Sequence, residues 1–400
     1  FAAVELAPPD PIIGTAAAYQ RDPHPDKVNL GIGAYRTDEG KPYVFASVKE
    51  AERRIAADPS INKEYLGIDG HAGFNRLARE LVFGADSVPV HENRVATCQS
   101  ISGTGSLRLG AEFIGTYLKV PYVYVSNPTW GNHPTIFKKA GLEVREYPYF
   151  HNETRLLNFD GMVEALNSAP EHSVILLHAC AHNPTGVDLN NEQWGAVADI
   201  MQARSLIPYF DSAYQGFATG SLENDAFALR EFVRRGFQLF LSQSFAKNMG
   251  LYGERTGALH VVCANQDSAE RVLSQLKIVV RGMYSSPPMH GSLIAYTILN
   301  DPELSNSWKE ELTAVSHRIL AMRHKLVEEL TAIETPGDWS HIVKQIGMFS
   351  YTGLTAPQCE IMINKWHCYL VKNGRISMAG VNTHNVAYIA RAIKDSITSA

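Results

Sequence analysis

Cysteine is scarce. Five thiols, at positions 98, 180, 263, 359 and 368, stand in 400 residues, an odd number at no regular spacing. That excludes a disulfide-stapled scaffold and fits a reducing compartment. Long apolar runs are missing too. The richest, Val174-Ile-Leu-Leu177, is cut short by His178, far below the roughly 18 residues that span a bilayer. There is no basic excess: 36 Lys and Arg face 41 Asp and Glu, a net charge of −5, so no broad basic surface for nucleic acid is expected. No internal repeat is found. Asn152-Glu-Thr154 matches a glycosylation sequon, but nothing else points to secretion, and the match is read as chance. What remains is ordinary for a globular protein, 45% apolar and 19% charged, in a chain long enough for two or three domains.

The order along the chain points to an α/β fold. Residues 1–14 are proline-rich (Pro8-Pro9-Asp10-Pro11) and read as an extended arm laid on something else, another subunit being one candidate. Ser47 is a plausible cap for a helix over 47–57. From about residue 94, strand, turn and helix repeat. Apolar runs at Arg94–Cys98, Pro121–Val125, Leu142–Tyr147, Ser173–Leu177, Ile207–Phe210, Phe237–Leu241 and Ala258–Val262 read as strands, most of them separated by helical stretches. That predicts a mainly parallel sheet covered by helices, with ligands at the carboxyl ends of its strands. Leu304, Trp308, Leu312, Val315, Ile319, Met322, Leu326 and Leu330 form one stripe of a long helix that could join two domains. The expected division is an arm at 1–14, a large domain at 43–314, and a smaller α/β domain from 15–42 and 315–400.

Five strand ends carry chemistry. Ser102-Gly-Thr-Gly105 opens a helix and suits a phosphate. It is not the dinucleotide fingerprint, because Arg108 stands where the third glycine would be, and it has no Gly-Lys-Ser/Thr ending. Trp130, in Asn127-Pro-Thr-Trp-Gly-Asn-His133, could stack on a flat ring or cap a core. His178, Cys180 and His182 would share a strand face, which invites a metal reading. It is set aside, because no fourth ligand is indicated and the Asn183-Pro-Thr-Gly186 turn breaks the strand. Asn183 at that break is the better ligand donor. Asp211, after the run Ile207–Phe210, is either a helix cap or the counter-charge to a protonated ring nitrogen. Lys247 has no carboxylate beside it in the sequence, and Arg255 follows a glycine turn. A desolvated lysine is a nucleophile toward carbonyls, and an arginine suits phosphate. A phosphate cradle, a stacking ring, a carboxylate, the phenol of Tyr214 and a carbonyl-seeking lysine together describe pyridoxal 5′-phosphate.

Ser244-Phe-Ala-Lys-Asn-Met-Gly-Leu-Tyr-Gly-Glu-Arg255, with Pro128-Thr-Trp-Gly-Asn-His133 and Ser102-Gly-Thr-Gly105, resembles the aspartate aminotransferases of the class I, fold-type I family, over nearly the whole chain. The resemblance implies Lys247 as the Schiff-base lysine, Asp211 as the ring-nitrogen partner backed by His133, and Trp130 as the stacking ring. Tyr214 and Asn183 match the groups that hold the phenolic oxygen. Ser102, Gly103, Thr104, Ser244 and Arg255 match the phosphate site, which Tyr65 reaches from a neighbouring subunit. Arg375 matches the clamp on the α-carboxylate, and Arg281 the arginine that crosses the dimer to the side-chain carboxylate. Gly33 resembles part of a loop that closes over the substrate. Gly282 and Ser286 stand where many relatives have proline and asparagine, which loosens the expectation of strict dicarboxylate selectivity. The implied activity is exchange of an amino group between L-aspartate and 2-oxoglutarate, in a homodimer with shared sites and no metal. A broad-specificity or aromatic aminotransferase is the alternative. Ser244-Phe-Ala-Lys247 also fits the Ser-x-x-Lys of penicillin-binding enzymes, but neither Lys-Thr-Gly nor Ser-Asp-Asn follows. Mild net acidity leads to the expectation of a cytoplasmic location, with the mitochondrion as alternative.

Overall fold

The computed structural model describes residues 1–7 and 11–399, so Pro8, Pro9 and Asp10 of the expected arm lie outside the described residues. The chain divides into two compact units. The larger comprises Val44–Asn183 and Val187–His317; the smaller comprises Phe1–Tyr43, Pro184–Gly186 and Arg318–Ala400.

The larger unit is built on seven strands: β1 (Val95–Ile101), β2 (Val123–Asn127), β3 (Val144–Pro148), β4 (Val174–His178), β5 (Ile207–Ser212), β6 (Leu239–Ser244) and β7 (Thr256–Val262). Their order across the sheet is β1-β7-β6-β5-β4-β2-β3. Every pairing is parallel except those of β7, which runs antiparallel to both neighbours. The connection from β6 to β7, residues 245–255, carries no crossover helix, so β7 returns alongside β6 in the opposite sense. Most strands are buried on both faces, which is why they read as continuous apolar runs. Ile175, Leu177, Phe210, Leu239 and Leu241 enter one core, while Val174, Leu176, Tyr209 and Phe240 enter the other.

Registers bring the strand ends to one edge. His178 lies opposite Asp211, Asp211 opposite Ser242, and Thr256 at the start of β7 opposite Ile101 at the end of β1. One expectation fails nearby. The helix over Ala46–Ala57 is capped at Phe45, not Ser47. The backbone N–H of Ser47 donates instead to Glu311 Oε1 at 2.9 Å. A carboxylate more than 250 residues away in sequence thus does the work expected of a local hydroxyl.

In the smaller unit a helix already begins at Pro11 and runs to Arg21, so the tail of segment 1–14 is helical rather than extended. Proline suits a first helical position, where its missing N–H costs nothing. Val28–Asn29 pairs with Cys368–Tyr369. β8 (Phe349–Tyr351) pairs antiparallel with β9 (Arg375–Ser377). Gly186, at φ +68°, joins this unit because its carbonyl accepts from the Ile346 N–H at 2.8 Å. The long helix spans Pro302–Ala332, and the boundary between the units falls inside it, after His317. All eight residues of its apolar stripe are buried, as their spacing predicts.

Candidate active site

At the end of β1 the helix Ser102–Tyr117 begins. Its first-turn amides have no acceptor within the helix and, with the helix dipole, suit an anion. Ser102 sits at φ +58° and Arg255, just before β7, at φ +52°. Side chains are uncommon in that left-handed region, and two such residues at one lip of a sheet mark strain held by the fold. The Ser102 and Ser244 hydroxyls lie 3.0 Å apart, and the Ala246 N–H donates to Ser244 Oγ at 3.2 Å. Gly103 leaves little room: a Cβ there would stand 3.2 Å from that of Ser244. Arg255 Nη1 donates to the Tyr252 carbonyl at 3.0 Å.

Lys247 lies in the turn immediately after β6, half-buried. Its amine stands 5.4 Å from the centre of the Tyr214 ring. No hydrogen-bond acceptor reaches it among the described residues. Burial lowers its pKa, Asp211 partly restores it, and Arg255 lowers it further. Asp211 itself is pushed up by burial, but the His133 hydrogen bond and nearby positive charge outweigh that, leaving its carboxyl below the ordinary value.

Behind Asp211 runs a directed chain of hydrogen bonds. The Asn183 backbone N–H can only donate, and it meets His178 Nδ1 at 3.2 Å. Burial holds His178 neutral, with its pKa down at about 3. Its proton is therefore on Nε2, which donates to Thr129 Oγ1 at 3.2 Å. The Thr129 hydroxyl is then free to donate to His133 Nδ1 at 2.7 Å. That leaves His133 Nε2–H to donate to Asp211 Oδ2 at 3.1 Å. One backbone amide thus orients three side chains so that the last aims a proton at the carboxylate. Trp130 stands edge-on to His133, ring centres 5.2 Å apart. The Asn183 Oδ1 is buried and makes no hydrogen bond among the described residues.

A half-buried amine, an ionised carboxylate, a flat indole and an anion cradle at one sheet edge match the comparisons with known proteins. The family model of aminotransferase class I and II matches residues 25–393. The chain belongs to this family. It is 53% identical to the cytoplasmic aspartate aminotransferase of Oryza sativa subsp. japonica, covering all of this chain and 98% of that protein. The structure of the aspartate aminotransferase from Saccharomyces cerevisiae cytoplasm superposes with a TM-score of 0.98 at 44% identity, over 100% of this chain and 98% of that one. The aromatic-amino-acid aminotransferase of Burkholderia pseudomallei, solved covalently bound to pyridoxal phosphate, follows at 0.96 and 45%, over 99% of each chain.

In this aminotransferase the larger unit holds Ser102, Gly103, Thr104, Trp130, His133, Asn183, Asp211, Tyr214, Ser244, Lys247 and Arg255, while Gly33 and Arg375 belong to the smaller. Arg375 is buried, at 4% exposure. Tyr65 is 86% exposed, and Arg281 is exposed in the last turn of the helix Gln266–Met283. The helix runs past Val280 and so carries Arg281 itself. Arg281 Nη1 donates to Ser285 Oγ, on the loop that follows. Tyr65 lines a cavity of about 490 Å³ with Ser286, Pro287 and Pro288. Thr129 was missed as a functional residue. The only trace in the sequence was its place between Pro128 and Trp130. His178 and His182 serve hydroxyls and rings: His182 meets Ser126 Oγ at 2.8 Å and stacks on Tyr149 at 3.9 Å.

Proposed function

We propose that the protein is a pyridoxal-5′-phosphate-dependent aspartate aminotransferase, exchanging an amino group between L-aspartate and 2-oxoglutarate to give oxaloacetate and L-glutamate in two half-reactions. The observation that carries this reading is Lys247: a desolvated amine with no hydrogen-bond acceptor among the described residues, one turn beyond a strand, beside an ionised carboxylate. The residues fit the cofactor. Ser102, Gly103, Thr104, Ser244 and Arg255 would hold the phosphate, Trp130 the ring face, Asp211 the ring nitrogen, and Tyr214 with Asn183 the phenolic oxygen. Asn183 would donate to that oxygen from its amide Nδ2, and its buried Oδ1 has no hydrogen-bond partner among the described residues. When bound, the cofactor supplies an aldehyde for the amino group and a ring that draws electrons from the substrate Cα.

The chain's own residues do the rest. Lys247 takes the α-proton and returns it; its lowered pKa favours the free amine this requires, and a positioned base of this kind contributes roughly 10²–10⁴-fold. The His133 N–H keeps Asp211 ionised beneath a protonated ring nitrogen. Arg375 binds the α-carboxylate by paired hydrogen bonds, and Gly33 lies in the loop that closes over it. Arg281 and Tyr65 come from a second copy of the chain, Arg281 to the side-chain carboxylate and Tyr65 to the phosphate. Their exposure in the single chain supports a homodimer with shared sites. No helix among the described residues is long and apolar enough to cross a membrane. The rice and yeast relatives support a cytoplasmic location, with the mitochondrion as the alternative. Borohydride treatment of the holoenzyme fixes the cofactor to the amine that holds it, so peptide mapping should find the label on Lys247. Label on any other lysine would overturn the assignment. Lys247→Ala should still bind cofactor through the phosphate residues and lose most turnover.

A further inference from the structure

Arg323 is buried to 1% exposure. Among the described residues no carboxylate pairs with it. Its Nη1 donates to the Ile342 carbonyl at 2.9 Å, and its Nη2 to those of Gly347 at 2.8 Å and Phe349 at 2.6 Å. Its Nε is buried without a hydrogen-bond partner among the described residues. Burial alone pulls its pKa down to about 9. A buried cation without a counter-ion is costly, and an apolar side chain could fill the same space. What an apolar residue could not do is gather three carbonyls with one rigid fork.

Those carbonyls lead to β8, and in particular to Phe349. Its ring lies against the Arg375 guanidinium, whose Cζ stands 4.2 Å from the ring centre. The edge of the same ring occupies the space at Gly33, where a Cβ would come within 2.6 Å of Phe349 Cζ. Arg375 Nη2 also donates to the Gly31 carbonyl at 2.7 Å. On the backbone side, a Cβ at Gly186 would approach the Phe349 carbonyl to 2.8 Å. The Phe349 ring is thus wedged between the 31–33 loop and Arg375, and its main chain is pinned by Arg323. Cross-strand pairing cannot supply this alone, because it holds the backbones of β8 and β9 and not the guanidinium.

We propose that Phe349, fixed through its carbonyl by Arg323, is a positioning residue for the Arg375 carboxylate clamp. The ring face presents the guanidinium at one height and tilt, and the same ring sets how closely the Gly31–Gly33 loop approaches it. This rests on the reading of Arg375 as the α-carboxylate clamp given above.

Steady-state kinetics of the holoenzyme test it. Phe349→Leu keeps bulk and removes the ring face. It should raise KM for both L-aspartate and 2-oxoglutarate by about tenfold, as expected for losing a desolvated cation–π contact, with kcat and cofactor affinity little changed. 3,5-Difluorophenylalanine at position 349 leaves the crowded Cζ edge unchanged but weakens the ring face, and should raise KM by less than Phe349→Leu does. Arg323→Lys, a point charge that cannot span three carbonyls, should raise KM in the wild-type background and add nothing in the Phe349→Leu background. If Arg323→Lys does not fold, the two Phe349 variants decide the matter. Unchanged KM in Phe349→Leu, unchanged KM with 3,5-difluorophenylalanine at position 349, or additive effects of the Arg323 and Phe349 changes would each overturn the proposal. Arg375→Lys separates the two readings. If it raises KM steeply while Phe349→Leu does not, only this proposal falls. If it leaves KM unchanged, the clamp reading falls and takes the proposal with it.

Discussion

Lys247 and Asp225 show how burial sets the behaviour of single ionisable groups in opposite senses. Burial disfavours the charged form of each, so the lysine pKa goes down and the Asp225 pKa goes up, to about 6. Asp225 accepts from the backbone N–H groups of Ala218 and Thr219, and from the Thr219 hydroxyl, on the segment following Tyr214. Its folded pKa lies above the unfolded value of 3.8. The folded chain therefore keeps a proton that the unfolded chain releases, and the stability this contributes is complete below about pH 4 and lost as pH rises through about 6. Asp225→Asn cannot titrate. The difference in unfolding free energy between wild type and variant should therefore move against wild type by about 2–3 kcal/mol from pH 4 to 7. Denaturant unfolding at a series of pH values measures it, and parallel curves would refute it.

The long helix Pro302–Ala332 does more than bury an apolar stripe. Its first half underlies the segments that carry the site. The Trp308 indole N–H donates to the carbonyl of Asn248, the residue after Lys247, at 2.7 Å. The Thr313 hydroxyl donates to the Gly220 carbonyl at 2.9 Å, and a Cβ at Gly216 would come within 2.5 Å of Leu312. Trp308→Ala should cost about 3–5 kcal/mol of stability, the usual loss for a fully buried tryptophan. It should also weaken cofactor binding, because the turn that holds Lys247 loses its anchor. Thermal unfolding and cofactor titration of the same variant test both parts. A stability loss with unchanged cofactor affinity would show that the helix supports the core and not the site.

For the whole molecule, the decisive expectation is that each site draws on two chains. Lys247→Ala and Arg281→Asp should each be nearly inactive on aspartate. For Arg281, the loss of a charge-paired carboxylate partner costs roughly 2–5 kcal/mol. Refolding equal amounts of the two together should make hybrids about half of the dimers, each with one intact site of two, and so recover about a quarter of wild-type activity. No recovery would mean that every site is built within one chain. Arg281→Asp also separates the substrate readings. A dicarboxylate enzyme should lose far more activity on aspartate than on phenylalanine or tyrosine, whereas the broad-specificity alternative predicts similar losses on both.

Much of this protein was legible residue by residue. Most of the seven sheet strands announced themselves because strands buried on both faces are largely apolar, and the long helix because one face of it is. Lys247, Asp211 and the Ser102–Thr104 turn could be found because polar residues at the ends of apolar runs have few reasons to be there. Contacts between distant parts of the chain were beyond such reading. Glu311 capping the helix at Ser47, Thr129 joining two histidines behind Asp211, and Arg323 gathering the carbonyls around Phe349 all depend on which segments the fold brings within hydrogen-bond reach. No local pattern encodes that reach. Short-range propensity and periodicity were written in the order of the amino acids; the direction of protons toward Asp211 and the seat of Arg375 were decided only when the chain closed on itself.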